Sequence, residues 1–122
     1  MIEMKQAIQD GKTSLGIELG STRIKAVLID PHFQTIATGS FEWENQLIDG
    51  IWTYSLETIW EGLQASYRQM SQEVMQKFGI PLEKIGSIGI SAMMHGYLAF
   101  DEEDELLVPF RTWRNAITGE AE

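Results

Sequence analysis

The sequence predicts an α/β domain built on a mixed sheet: a three-strand antiparallel meander, a long crossover helix, a parallel fourth strand and an extra hairpin. Three observations predict it. Apolar stretches with extended-chain periodicity fall at 14–19, 24–29 and 35–43, and connections this short permit only antiparallel neighbours. Apolar residues then recur every three or four positions from Leu56 to Phe78, one face of a long helix. A further short apolar strand at 84–91 follows, so strand, helix and strand read as a crossover, right-handed by rule.

Each element has its own justification. Residues 1–13, MIEMKQAIQDGKT, hold no apolar run long enough for a signal peptide or a membrane span and read as a polar lead-in, at most a frayed helix. In the first strand Leu15, Ile17 and Leu19 share one face, and Gly16 and Glu18 the other. The second strand is almost unbroken in its apolar character. Asp30-Pro31-His32 is a turn, because Pro31 lacks a donor and pushes Asp30 toward extended geometry. Residues 45–54 read as loop. Ser55 is placed to cap the helix, with Glu57 and Glu61 near the positive end of its dipole. The helical stripe Leu56, Ile59, Trp60, Leu63, Tyr67, Met70, Val74 and Phe78 is assigned to the core. Gly79 suits the position just past the helix and Pro81 blocks continuation. Residues 97–110 form a hairpin whose tip, DEEDE, reads as a solvated acidic turn.

Composition narrows the function classes. Hydrophobic residues make up 43% of the 122, which fits one globular domain. The absence of cysteine excludes a disulfide framework and thiolate metal sites and is compatible with the cytoplasm. A net charge of −9 argues against nucleic acid and anionic membrane as partners. It does not exclude a phosphorylated ligand, since charges farther than about 8 Å are largely screened at physiological salt.

Two stretches invite a phosphate. Gly11-Lys12-Thr13 looks like the end of a P-loop, but that motif needs glycine where this chain has Gln6, and a helix where Ser14 opens a strand. The turn after the first strand is the better candidate. Gly20 lets backbone approach an anion, successive N–H groups at a turn form a nest, and Ser21 and Thr22 add hydroxyl donors. Each hydrogen bond to a charged phosphate contributes about 1.5–3 kcal/mol. Arg23 and Lys25 offer neutralising charge, and Glu18 can hold Mg²⁺ directly or through water. On physics alone the same residues also describe an ordinary hairpin turn beside a solvated glutamate.

The stretch GIELGSTRIKAVLID resembles the first phosphate motif of the sugar-kinase, actin and heat-shock ATPase superfamily, and most of all that of the FGGY carbohydrate kinases of the xylulokinase-like kind. The corresponding residues are Glu18, Gly20, Ser21, Thr22, Lys25 and Asp30. Farther along, GISAMMHGYLAFDEEDELLVPFRTW resembles the family's Ser-Gly-Gln-Met-His-Gly stretch with its following hairpin and Trp-containing strand. Trp52 and Trp60 echo a family stretch before the first long helix, so the resemblance covers nearly all of 14–118. It implies a ribonuclease-H-like sheet, part of an actin-like ATPase domain, with residues 14–122 as the N-terminal portion of the first kinase domain. It also implies transfer of the ATP γ-phosphoryl to a sugar or polyol hydroxyl with Mg²⁺. Gly20, Ser21, Thr22, Arg23 and Lys25 would then face the ATP phosphates, Glu18 the metal and the transferred group, and Met94, His95 and Trp113 the sugar. Read alone, His95 also suits a hairpin start and Trp113 a core position.

Two departures stand out. The family's first-strand acid is usually Asp, here Glu18, and its Trp-strand usually continues with an acid and an Arg, here Arg114-Asn115. The family's catalytic base, adenine pocket and second phosphate motif lie outside these 122 residues, so the remaining kinase domains are expected partners, the fragment alone is expected to be inactive, and uncovered apolar surface is expected to drive self-association. The rival expectation is a stand-alone sugar- or nucleotide-binding module or assembly subunit without catalysis.

Overall fold

The computed structural model describes residues 2–93 and 98–108. In chain order its elements are α1 (Ile2–Gln9), β1 (Ser14–Leu19), β2 (Arg23–Ile29), β3 (Thr35–Glu42), β4 (Gln46–Ile48), β5 (Ile51–Thr53), α2 (Leu56–Phe78) and β6 (Ser87–Ala92). The main sheet runs β3-β2-β1-β6. Its first three strands form the expected antiparallel meander, and β6 lies parallel to β1, with Glu18 level with Lys25 on one side and Ser91 on the other.

The lead-in is more than polar chain. Helix α1 buries Ala7 and Ile8 against the sheet. Its end is closed by a paired cap: the Gly11 amide donates to Ile8 at 3.3 Å and the Lys12 amide to Ala7 at 2.9 Å. Gly11-Lys12-Thr13 is therefore a helix stop, and the P-loop reading falls away as expected.

Helix α2 covers one face of the sheet. Ser55 caps it, accepting from the Thr58 amide, and Gly79 ends it in the left-handed conformation with its amide bonded to Met75. The core lies between this helix and Leu15, Ala26, Leu28, Ile36 and Ala37. The buried stripe differs from the expected one. Ile59, Met70, Val74 and Phe78 are inside, but so are Gly62 and Ser66, while Trp60 is 57% exposed. The cause is a close approach: a Cβ on Gly39 of β3 would fall 2.0 Å from the Ser66 carbonyl oxygen. Contact this tight turns the small residues of α2 inward and carries Trp60 to the flank.

Two boundaries also differ, while positions 97 and 109–110 of the expected hairpin lie outside the described residues. Residues 45–54 contain the β4–β5 hairpin, turned at Asp49 and Gly50 with φ of 51° and 79°. These are the positive angles of a two-residue turn. Strand β6 begins at Ser87 because Ile85 leaves the sheet to pack on the core, and the Gly86 and Ser87 amides are both taken by the Thr13 carbonyl. Past Ala99 the chain folds back through a Phe100–Leu106 bridge, with Asp101 accepting from the Glu103 and Glu105 amides across an exposed acidic tip.

The two sheet edges are unlike. On β3 the Ser40 amide is capped by Gln69 of α2 at 2.6 Å. Strand β6 has no strand on its outer side among the described residues, all six of its residues are exposed, and Ile88 and Ile90 are 61% and 68% so.

Candidate functional site

The sheet face away from α2 carries the charged groups. Glu18 is exposed there, cross-strand from Lys25 and level with Ser91. The three line a shallow groove of about 420 Å³ with Gly16, Val27 and Gly89. Small residues in neighbouring strands leave this floor open. The groove runs toward the β1–β2 turn, where a Cβ on Gly20 would sit 3.2 Å from Glu18 Oε1. The Glu18 carboxylate thus lies against the backbone of Gly20, and a side chain there would crowd it.

The turn itself is held from behind. The Trp43 indole N–H donates to the Gly20 carbonyl at 2.6 Å, the Tyr54 hydroxyl to the Ser21 carbonyl, and the Trp43 amide to the Thr22 carbonyl at 3.1 Å. Trp43 and Tyr54 are stacked and packed with Ile24 and Ile59 on the α2 side. In a trans peptide the C=O and the next N–H point in opposite directions, and no peptide here is cis. Carbonyls of Gly20 and Ser21 drawn toward the aromatic pair therefore turn the Ser21 and Thr22 amides away from it, the side on which Glu18 lies. Among the described residues nothing accepts from those two amides, and both residues are exposed. The result is a small donor nest beside an acid.

Arg23 is exposed at the start of β2 and Lys25 is half-buried two residues on. Neither is ion-paired among the described residues, where the ion pair is Lys77–Glu73 at 2.7 Å. Both cations remain available to an anion in the nest. No group of three or more potential ligands that could cage a metal occurs among the described residues. Glu18 alone still fits a Mg²⁺ that takes one or two carboxylates and completes its shell from phosphate and water.

The turn residues Glu18, Gly20, Ser21, Thr22, Arg23 and Lys25 are thus brought together. Asp30 is not among them: it lies past the far end of β2, 5% exposed, accepting from the His32 and Gln34 amides at 2.9 Å each. Its work is the β2–β3 turn. Met94, His95 and Trp113 lie outside the described residues. Sequence reasoning missed Trp43, Tyr54 and Ser91. Ser91 was recoverable from the parallel register, whereas nothing local marks the partners of the two aromatics. No helix among the described residues is long and apolar enough to cross a membrane.

The profile of the FGGY family of carbohydrate kinases, N-terminal domain, matches residues 13–121. Solved structures of similar fold include a gluconate kinase from Lactobacillus acidophilus, at TM-score 0.72 and 24% identity, covering 89% of this chain and 21% of that one. A ligand-bound xylulose kinase from the same organism aligns at TM-score 0.68 and 25% identity over 89% of this chain and 21% of its own. Glycerol kinase from Plasmodium falciparum aligns at TM-score 0.72 and 18% identity, over 89% and 22%. The chain spans about a fifth of the length of these proteins. No curated protein matches it by sequence. The expected fold class, a mixed sheet with a long helix as in actin-like ATPases, is borne out.

Proposed function

The chain belongs to the FGGY family of carbohydrate kinases, and from that premise we propose that it supplies the first phosphate loop of an ATP-dependent sugar or polyol kinase acting in the cytoplasm. Residues 14–122 are the N-terminal portion of the first kinase domain in this reading. The observation that carries it is the pair of outward-turned, acceptor-free amides of Ser21 and Thr22 beside Glu18. Those amides and the two hydroxyls donate to phosphate oxygens, with Gly20 keeping the approach open. Arg23 and Lys25 offset the anion's charge. Glu18 holds Mg²⁺ or one of its waters, and the ion when bound neutralises charge on the phosphates. Met94, His95 and Trp113 line the sugar pocket, where an imidazole donates through one nitrogen and accepts through the other. Phosphoryl transfer depends on positioning between two domains, so this chain alone binds without turning over.

Isothermal titration of the chain with Mg·ATP tests the loop. Binding is expected, and Thr22→Asp, which sets a carboxylate among the phosphate donors, is expected to abolish it. Equal affinity in the variant contradicts the proposal. A saturation-transfer NMR screen against pentuloses, gluconate and glycerol then names the sugar class.

A further inference from the structure

We infer that the stacked Trp43–Tyr54 pair is a positioning latch that sets the anion affinity of the β1–β2 turn, an inference that rests on reading this turn as a polyphosphate-binding loop. The turn is short and exposed, and left to itself its peptide planes rotate readily. Rotation would aim carbonyl oxygens at the same point as the amides, where they repel phosphate. Donors fixed before the ligand arrives avoid that ordering cost.

Three donors prevent rotation here, and all come from the aromatic pair. The indole N–H holds the Gly20 carbonyl, the phenol O–H the Ser21 carbonyl, and the Trp43 amide the Thr22 carbonyl. The rings are 4.0 Å apart at 23° and only 6% and 2% exposed. They are well anchored: Trp43 directly follows β3, and Tyr54 stands between the last residue of β5 and Ser55, the cap of α2. The turn is thereby tied to the start of the helix that covers the sheet. Buried Trp and Tyr usually find partners for their polar tips. Two stacked rings serving adjacent carbonyls of the turn that carries the acceptor-free Ser21 and Thr22 amides do more than satisfy themselves.

The test uses the ¹⁵N-labelled chain as wild type, Tyr54→Phe and Trp43→Phe, with Mg·tripolyphosphate as the probe. Tyr54→Phe keeps the stack and removes a single donor. Trp43→Phe removes the indole donor and keeps the backbone bond to Thr22. In the wild type the Ser21 and Thr22 amides are expected to be rigid, with order parameters of about 0.85, and to shift on titration. In Tyr54→Phe they are expected to fall below about 0.6 while the amides of 15–17 hold their values. The Kd is expected to rise about tenfold, equivalent to about 1.4 kcal/mol. A purely packing role predicts a uniform loss of order or none. If wild type and both variants bind equally, or the order of the turn is unchanged, the latch is overturned and the loop reading stands. If tripolyphosphate leaves the wild-type Ser21 and Thr22 amides unmoved, the loop reading fails and the latch with it.

Discussion

Two glycines in strands of the same sheet should respond oppositely to the same substitution. A Cβ on Gly39 would meet the Ser66 carbonyl oxygen at 2.0 Å, the Met70 amide nitrogen at 2.7 Å and the Ser66 carbonyl carbon at 3.0 Å. All are backbone atoms of α2, so no side chain can swing aside. Relief of the closest contact requires the helix to retreat by about 1 Å, which opens the fully buried core around Met70, Val74 and Ala37. Forced overpacking of this kind costs about 1–3 kcal/mol and sometimes more; backbone contact at both Ser66 and Met70 puts Gly39→Ala at about 3 kcal/mol. For a domain of this size that lowers Tm by about 10–15 °C. A Cβ on Gly89 of β6 would touch nothing within 4 Å. Gly89→Ala should therefore be neutral, or stabilise by about 0.4–1 kcal/mol through the unfolded chain. Thermal melts by circular dichroism, with urea titrations to check the slope, measure both. A Gly39→Ala variant within about 0.5 kcal/mol of wild type, the range of an ordinary surface substitution, would refute the close-approach account of why α2 turns its small residues inward.

Four further outcomes follow from the same structure. Ser55→Ala removes the acceptor of the Thr58 amide and should cost about 1 kcal/mol in urea unfolding. Asp30→Ala strips the shared acceptor from the His32 and Gln34 amides and should cost about 2 kcal/mol by the same measurement, with the phosphate turn's amide shifts unchanged. Glu18→Gln should leave Tm within about 1 °C, because the side chain is exposed, yet weaken Mg·ATP binding about tenfold while sparing metal-free ATP; isothermal titration with and without Mg²⁺ separates the two. Among the described residues strand β6 has no neighbour on its outer edge, and Ile88 and Ile90 are exposed, so the chain should self-associate with rising concentration in light scattering and Ile90→Lys should suppress it; a monodisperse wild-type monomer at high concentration would contradict this.

What could be read from the chain divides by the range of the interaction. The meander, the cap at Ser55, the stop at Gly79 and the Asp30 turn are decided by neighbours within a few residues, and each is legible in local chemistry. The β4–β5 hairpin was equally local: Asp49-Gly50 is a strong turn signal, passed over because three-residue strands leave little periodicity to count. The inward face of α2 was not local. Periodicity pointed to the bulky residues, Trp60 among them, but the facing Gly39 lies more than twenty positions away, and its missing side chain decided which stripe goes in.

The same division runs through the candidate site. Glu18, Gly20, Ser21 and Thr22 are contiguous, and their types alone suggest an anion nest beside an acid. Types do not say which way the peptide planes face, and the nest depends on that. A Gly-Ser-Thr turn with carbonyls outward would have the same sequence and repel phosphate. The orientation is settled by Trp43 and Tyr54, whose bonds to Gly20 and Ser21 close over separations of 23 and 33 residues. The short motif is therefore necessary chemistry without sufficient geometry. A chain that kept GSTR but lost both aromatic donors should retain the motif and lose the binding. The sites worth substituting first are accordingly the two rings behind the turn, more than the hydroxyls in front of it.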